Sequence, residues 1–380
     1  MEEWKEYKLG EIAEFRTGKL NSNAAVQNGK YPFFTCAPET YHINDYAFDQ
    51  KAILLAGNNA EGNFNIKYYE GKFNAYQRTY IINPVSNAID IHFLYYALQL
   101  CLQQFKSLSQ GTSTKFLTAK ILNAFCIKVP SLSIQKRIAD VIKSLDDKIE
   151  INRRINDNLE QQAQALFKSW FVDFEPFRNQ PFVESELGMI PEGWRYGTLS
   201  EVAHITMGVS PSGTSYNVSG EGYVFYQGRA EFGYRFPHRN MFTTEPKRFA
   251  EEGDVLLSVR APVGDVNVAN ERCCVGRGLA AISSKYHLSF ILYLLKSLKS
   301  VFDQYNGEGT VFGSISKNTL EGLRVIIPEK RVIERFEIIA CTFDGQIRCR
   351  DEESRRLASL RDTLLPRLMS GEIKVEDVTL

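Results

Sequence analysis

The sequence predicts an α+β protein with two similar domains, each followed by a long α-helix, the two helices pairing as an antiparallel coiled coil about a pseudo-twofold axis. Three observations predict this: a long internal repeat, two long segments with apolar residues at alternating spacings of three and four, and short β-like runs ahead of each segment. The chain has 380 residues, which is enough for two hydrophobic cores of ordinary size.

An internal repeat runs through nearly the whole chain. The first half begins with Trp4, Leu9, Ile12 and Gly18, and the second with Trp194, Leu199, Val202 and Gly208, an offset of 190 residues. Later positions keep an offset of 198: Tyr95, Gly111, Thr112, Leu122 and Pro130 match Tyr293, Gly309, Thr310, Leu320 and Pro328. Two unrelated α+β domains would not keep so ordered a set of matches. The halves should therefore share a fold and differ mainly in surface loops.

The same plan predicts the domain boundaries. We expect a first domain over residues 1–130, a long helix over 131–173, a connector over 174–192, a second domain over 193–328, a second long helix over 329–372, and a tail over 373–380. β-like runs at Ala52–Ala56 and Asp254–Val259 lead to single apolar helices around Ile91–Phe105 and Phe290–Phe302. The connector contains three prolines and no regular periodicity, and it is expected to be an ordered connector.

Both long segments carry a heptad-like apolar seam. The seam includes Leu145, Ile149, Leu159 and Leu166 in the first segment and Phe343, Ile347, Leu357 and Leu364 in the second, where Arg361 interrupts it. Each seam is polar at its centre, at Asn152 and Asn156 and at Arg350 and Ser354. In an antiparallel pair the two polar centres would meet and fix the register. The alternative is that each helix packs only on its own domain, but about 35 residues, roughly 50 Å, exceeds what such packing requires.

Composition and motifs argue against several classes of protein. Lys plus Arg equals Asp plus Glu, at 45 each, which disfavours a protein that coats nucleic acid nonspecifically. Neither a signal peptide nor an apolar run of membrane-spanning length is evident, and seven unpaired-looking cysteines agree with a cytoplasmic location. The sequence contains no Walker loop, zinc-site spacing or amino-methyltransferase motif, so we expect no catalytic site, no metal and no bound cofactor.

Three segments resemble those of the specificity subunits of type I restriction-modification enzymes. They read ELGMIPEGW over Glu186–Trp194, LFKSWFVDFEPF over Leu166–Phe177 and TLLPRLMSGEI over Thr363–Ile373; the first half lacks the lead-in that precedes Trp194. The resemblance implies two target-recognition domains that read an asymmetric bipartite site on double-stranded DNA. It implies that the long helices form the spacer and dock two methyltransferase subunits, which use S-adenosylmethionine, and that translocating nuclease subunits can join them.

Candidate DNA-binding residues follow from the chemistry of base edges and phosphates. Amides suit adenine, guanidinium groups suit guanine, and small hydroxyls with lysine suit phosphates. The candidates are Asn58, Asn59, Asn63, Gln77, Arg78, Thr112, Ser113, Lys115, Arg229, Arg235, Arg239, Arg260, Arg277 and Lys317. The loop with Thr112 has a counterpart at Glu308–Gly313 in the second half. Solvated loop residues and a plain structural turn are the alternatives.

Three other functions remain open at this point. The chain could be a free-standing DNA-binding protein that reads a bipartite site, an enzyme of unfamiliar type, or an interaction scaffold that binds no nucleic acid. The zero net charge disfavours the first, because free-standing binding draws heavily on neutralised phosphates.

Overall fold

The computed structural model describes residues 4–284, 287–307 and 313–378. The chain forms two compact units. Unit 1 comprises residues 1–152 and 352–380, and unit 2 comprises residues 153–351. The division falls inside the two long helices, so each unit contains a part of both.

The elements up to the end of the first long helix lie mostly in unit 1. The strands are β1 (Lys5–Lys8), β2 (Ala13–Thr17), β3 (Tyr31–Phe34), β4 (Tyr41–Ile43), β5 (Phe48–Ala56), β6 (Asn58–Asn59), β7 (Ile66–Ala75), β8 (Thr79–Pro84), β9 (Lys115–Phe116) and β10 (Cys126–Val129). The helices are α1 (Leu9–Ile12), α2 (Ile91–Leu100), α3 (Leu102–Leu108), α4 (Ala119–Ala124) and the long α5 (Leu132–Phe171).

The remaining elements run from the connector to the second long helix. The strands are β11 (Phe182–Ser185), β12 (Gly188–Pro191), β13 (Arg195–Thr198), β14 (His204–Met207), β15 (Tyr216–Asn217), β16 (Tyr223–Tyr226), β17 (Phe242–Thr243), β18 (Phe249–Ala250), β19 (Val255–Ser258), β20 (Val266–Val268), β21 (Cys273–Val275), β22 (Leu279–Ser283) and β23 (Arg324–Ile327). The helices are α6 (Leu288–Ser297), α7 (Lys299–Asp303), α8 (Lys317–Glu321) and the long α9 (Lys330–Ser370).

Unit 1 is built on a six-stranded sheet with the order β2-β8-β5-β7-β3-β4. Helix α2 begins at Asp90, whose carboxylate accepts hydrogen bonds from the backbone of His92 and Phe93, the usual role of an N-cap aspartate. The core joins β5 and α2 to both long helices, because Ile53, Phe93, Ile138 and Leu368 belong to one buried cluster. The first domain and the segments of the two long helices in unit 1 thus share one hydrophobic core.

Unit 2 contains a four-stranded sheet, β14-β22-β19-β20, and a five-stranded sheet, β15-β17-β16-β21-β18. Its largest core is unusually aromatic. Phe336 of α9 is fully buried, and its ring lies 5.1 Å from that of Phe171, 5.6 Å from that of Phe167 and 6.2 Å from that of Trp170. Apolar burial here ties α5 and α9 to the second domain.

The two halves share a common plan, as the repeat predicts. In each half the first strand pairs antiparallel with the strand before the long helix, β1 with β10 and β13 with β23. The order β2-β8-β5 in unit 1 has its counterpart in β14-β22-β19 in unit 2. The matched Gly18 and Gly208 both lie too close to another backbone segment for a side chain. A Cβ at Gly18 would lie 1.8 Å from the carbonyl oxygen of Ala75, and a Cβ at Gly208 would lie 2.2 Å from that of Gly276.

Within each unit the segments of α5 and α9 run antiparallel. In unit 1, Asp146 accepts a hydrogen bond from Arg361 (2.7 Å), and further along α5 Asn152 donates to Ser354 (3.3 Å). In unit 2, Asn156 donates to the carbonyl of Ile347 (3.2 Å), and further along α5 the Phe167 ring lies 5.6 Å from that of Phe336. Higher numbers on α5 meet lower numbers on α9 in both units, which is the predicted direction.

Two sequence predictions of local structure were wrong. The apolar helix expected over Ile91–Phe105 ends at Leu100, because the Cys101 amide bonds the Leu98 carbonyl in a tight turn before α3 begins, and the helix expected over Phe290–Phe302 divides at Leu298. The connector between the halves contains a hairpin, formed by β11 and β12. Gly188 supports the hairpin turn with a φ of +98°.

We predict that Phe336→Ala destabilises unit 2 by about 3–5 kcal/mol, because truncation of a fully buried ring leaves a cavity. Urea unfolding is followed by tryptophan fluorescence in a Trp4→Phe background, where the two remaining indoles, Trp170 and Trp194, both belong to the core around Phe336. The control is Ile338→Ala, at a side chain that is 69% exposed on the same helix. Equal urea midpoints for the two variants would show that Phe336 does not hold this core together.

Candidate nucleic-acid interface and helix seam

The structure brings most first-half candidates together on one small ribbon. Strand β6, with Asn58 and Asn59, pairs antiparallel with β9, where Asn59 lies opposite Lys115 and Asn58 opposite Phe116. The Arg78 guanidinium lies over the Phe116 ring at 5.1 Å, a cation–π arrangement. Amide, lysine and arginine groups therefore lie on or beside one ribbon of unit 1, although the sequence separates them by up to 57 positions.

Several of these side chains are partly committed to the fold. The side-chain oxygen Oδ1 of Asn59 accepts from the backbone N–H groups of Glu61 (2.9 Å) and Asn63 (3.0 Å), which closes the loop. Asn63 accepts from Lys106 at 2.7 Å, and the Gln77 amide donates to Asn21 at 2.8 Å. Asn58 differs, because its side-chain oxygen Oδ1 is buried and no group donates a hydrogen bond to it.

The small hydroxyls lie in the loop that leads into the ribbon. Gln110 and Phe116 form a β-bridge around it, and Thr112 and Ser113 are exposed between them. Gly111 has a φ of +108°, and a Cβ there would lie 2.0 Å from the Thr114 carbonyl oxygen, so the turn requires glycine. In the second half, residues 308–312 of the corresponding Glu308–Gly313 loop lie outside the described residues, including Gly309 and Thr310 of the repeat.

The second-half candidates are exposed but dispersed. Arg229 forms an ion pair with Asp265, Arg239 with Glu271 (2.9 Å) and Lys317 with Glu321 (3.4 Å). Arg260 and Arg277 are exposed. Within the described part of the chain, no hydrogen bond or ion pair joins these five side chains to one another. These five residues remain candidates, but no ribbon brings them together as the β6–β9 ribbon does for the candidates of unit 1.

Arg235 cannot contact DNA bases in this structure, and its prediction as a base-reading residue was wrong. The side chain is 3% exposed and forms ion pairs with Glu160 of α5 and with Asp344 of α9 (3.1 Å). It also donates to the Tyr293 hydroxyl at 2.9 Å. Burial alone opposes its charge, but Asp344, Tyr293 and Glu160 raise the pKa of Arg235, so the guanidinium stays protonated.

Glu160 is the centre of this buried cluster, and sequence reasoning missed it. Its carboxylate accepts hydrogen bonds from Arg235, from Lys296 and from Gln164 (2.6 Å). Burial would raise the pKa of Glu160, yet Arg235 and Lys296 together hold it below its ordinary value. The pKa of Lys296 is lowered, first by burial and then by the neighbouring Arg235. The sequence alone could not identify Glu160, because a buried glutamate on a highly charged helix cannot be distinguished by its residue type from the exposed glutamates around it.

The predicted apolar seam residues are buried or half-buried. Leu145 is 4% exposed, Leu159 8% and Ile347 0%, while Ile149, Leu166, Phe343, Leu357 and Leu364 are half-buried. Of the polar centre, Asn152 donates to Glu353 (2.8 Å) as well as to Ser354, so part of the predicted polar contact is present within unit 1. Arg350 instead bonds Gln346 of its own helix.

A tyrosine–aspartate hydrogen bond joins a domain to a long helix in each unit. Tyr96 donates to Asp146 at 2.8 Å in unit 1, and Tyr293 donates to Asp344 at 2.8 Å in unit 2. The repeat matched Tyr293 with Tyr95, so the structural counterpart lies one residue further on. Arg361, which interrupts the apolar seam, has a partner in Asp146. The two aspartates are also 198 residues apart in the sequence, but their contacts are decided by tertiary packing.

The described residues contain neither a metal-binding cluster nor a membrane-spanning helix. Among those residues, no group of three or more His, Cys, Asp or Glu side chains is arranged to hold a metal ion. In the same part of the chain, no helix has both the length and the apolar character needed to cross a membrane.

Comparisons with known proteins identify the family. A family model described as "Type I restriction modification DNA specificity domain" matches residues 1–161 and 191–339. The putative MjaX specificity subunit of Methanocaldococcus jannaschii is 33% identical over 309 residues, covering 78% of this chain and 71% of that protein. The EcoDI specificity subunit of Escherichia coli is 28% identical over 408 residues, covering 98% of this chain and 89% of that subunit.

A solved structure agrees in fold. The type I restriction-modification S subunit from M. genitalium superposes with a TM-score of 0.62 at 18% identity, covering 97% of this chain and 96% of that one. The chain belongs to the family of type I restriction-modification specificity subunits. Membership in this family confirms the predicted resemblance and the prediction that the chain is a non-catalytic subunit.

We predict that the stability of unit 2 depends on pH through Glu160. Because the folded-state pKa of Glu160 is lowered from 4.5, its contribution is fully present above that value and is lost as the pH falls through the folded-state pKa. The difference in urea midpoint between the Trp4→Phe background and the same background carrying Glu160→Gln should be largest near pH 7 and shrink towards about pH 3.

The matched control is Glu245→Gln, which changes an exposed carboxylate in the same unit. Its difference from the parent should stay small throughout. A Glu160→Gln difference that stays constant over this range would contradict the assigned charge state of the cluster.

Proposed function

We propose that this chain reads an asymmetric bipartite DNA site and docks two methyltransferase subunits that modify it. The observation that carries the proposal is the presence of two matches to the specificity domain in one chain, at residues 1–161 and 191–339. Each match contains one domain and the beginning of one long helix. Two readers with different loops call for two different half-sites, and hence for an asymmetric target.

The first half-site is read from the ribbon of unit 1. Asn58, Arg78 and Lys115 offer an amide, a guanidinium and an ammonium group at the same ribbon, and these are the groups that contact adenine, guanine and phosphate. Thr112 and Ser113 add exposed hydroxyls beside them. The second half-site is read by exposed cations of unit 2, with Arg229, Arg239 and Arg277 as the candidates.

The long helices serve as spacer and docking surface. Helix α5 has 40 residues, about 60 Å, which exceeds the ~34 to 36 Å of one DNA turn that separates two readers in the major groove. Apolar side chains remain exposed on both helices, namely Ile151 (50%), Ile338 (69%) and Leu360 (41%). Exposed apolar residues on a helix suit a protein partner. The partners supply S-adenosylmethionine and the methyl transfer, and translocating nuclease subunits complete a complex that cleaves.

We predict that the purified chain alone neither methylates nor cleaves DNA. Together with the methyltransferase subunit from the same organism, it should direct methyl transfer from labelled S-adenosylmethionine to one bipartite motif. Incorporation of label into plasmid DNA is measured for the chain, for the methyltransferase and for the mixture. Transfer by the chain alone would contradict the proposal. Tight sequence-specific binding by the chain alone, with no stimulation of the methyltransferase, would favour a free-standing DNA reader.

A second prediction tests the ribbon in the assembled complex. Loss of one phosphate contact by Lys115→Ala should reduce the slope of log affinity against log salt concentration by about 0.9, equally for target and non-target duplexes. The control is Lys128→Ala, which removes an exposed lysine from β10 of the same unit. Slopes are measured by fluorescence anisotropy over a range of salt concentrations. If both variants keep the parental slope, the ribbon does not contact the DNA backbone.

A further inference from the structure

Two consecutive buried residues of the second domain, Arg235 and Phe236, contact both long helices within unit 2, and the exposed Tyr234 precedes them. We name Tyr234, Arg235 and Phe236 the wedge. Arg235 forms ion pairs with both helices, through Glu160 of α5 and Asp344 of α9. Phe236 is 6% exposed and belongs to a cluster with Leu159 of α5 and Ile347 of α9.

Tyr234 adds a third contact on the same side. Burial and then the neighbouring Asp157 of α5 raise the pKa of Tyr234, so the phenol and this carboxylate lie near each other. The wedge therefore presents a phenol, a guanidinium and an apolar ring in sequence, and each finds a complementary group on a long helix. The backbone of this segment is also held on the domain side, because the Arg235 carbonyl accepts from the Val268 amide at 2.9 Å. The segment links the sheet of the second domain to both helices.

The partners of the wedge are not repeated in unit 1. The offset of 198 matches Asp146 of unit 1 with Asp344 of unit 2. The same offset matches Glu160 with Ala358 and Asp157 with Arg355, so unit 1 has no carboxylate at either of these positions. In unit 1 the guanidinium that meets Asp146 comes from Arg361 of α9 and not from the domain. The same aspartate position is thus satisfied by helix–helix contact in one unit and by domain–helix contact in the other.

The attraction within a buried ion pair offsets the cost of desolvation only where the geometry of the pair is close to ideal. The Arg235 guanidinium is planar and directional, so it can satisfy Glu160, Asp344 and Tyr293 together in few orientations. A domain held through it has little freedom to slide along or rotate about the helices. The exposed Arg229, His238 and Arg239 lie within six residues of the wedge and share this constraint.

We infer that the wedge is a positioning element that fixes the second recognition domain on the long helices, and that Arg235 thereby sets the spacer length that the complex accepts between the two arms of its site. This inference rests on the proposed function. One base pair advances the duplex by about 3.4 Å. Without the wedge, only the apolar core of unit 2 opposes the shift of about 3.4 Å and the rotation of about 34–36° that one more or one fewer base pair requires.

The test uses the full chain, co-expressed with its methyltransferase subunit in a bacterial host without adenine methylation. Sequencing that detects methyladenine gives the two arms and the spacer length for the parental chain. The fraction of methylated sites is then counted for the same two arms with spacers one base pair longer or shorter. We expect methylation at these altered spacers to rise at least about tenfold in Arg235→Met, with both arms unchanged.

Two further variants separate positioning from a general loss of structure. Arg235→Lys keeps the charge but loses the planar fork, so its methylation at altered spacers should lie between that of the parent and that of Arg235→Met. Arg178→Met removes an exposed arginine of the connector, and strict spacing should persist. A merely structural role for Arg235 would lower methylation at every spacing by the same factor.

Several outcomes would overturn the inference. One is strict parental spacing in an Arg235→Met complex that still methylates its site. If Arg235→Met abolishes methylation, the test rests on Arg235→Lys. Strict parental spacing together with full methylation in Arg235→Lys would then contradict the role of the wedge. Absence of any bipartite motif with the parental chain would instead contradict the proposed function itself.

Discussion

The burial of one apolar seam between α5 and α9 is the constraint on which each unit depends. Neither helix could remain in water with residues such as Leu145, Ile347 and Phe336 exposed, and each unit buries a stretch of both helices in its core. Each domain then packs on helix segments that come from both halves of the sequence. A folded unit therefore requires chain from both halves, which couples the two recognition domains through their helices although their loops differ.

Polar groups in the seam give the two units different characters. Both units use a tyrosine of the domain and an aspartate of the following helix, Tyr96 with Asp146 and Tyr293 with Asp344. Gene duplication explains this shared pair, and the difference lies in the arginine that joins it. Arg361 belongs to a long helix, whereas Arg235 belongs to the second domain. A duplicated scaffold has thereby become asymmetric, which suits the proposed reading of two unlike half-sites.

The sequence predicted the features that depend on periodicity and repetition. The antiparallel helix segments, the polar residues at their centre and the common plan of the halves follow from spacing alone. Arg235 could not be predicted, because its partners lie 75 and 109 positions away and their proximity is decided by tertiary packing. Asn58 and Lys115 were chosen by chemistry, and the pairing of β6 with β9 that brings them together has no local signal in two-residue strands. The break at Cys101 likewise depends on a change of hydrogen bonding within an apolar run.

The central claim is that each domain independently reads one arm of a bipartite site. The most direct measurement is the methylated motif of a chimeric chain, in which residues 193–328 are replaced by the corresponding segment of another specificity subunit that also carries arginine at the position of Arg235. The account predicts that the arm read by the second domain changes to that of the donor, while the arm read by the first domain stays the same. A motif in which both arms change, or neither does, would contradict it.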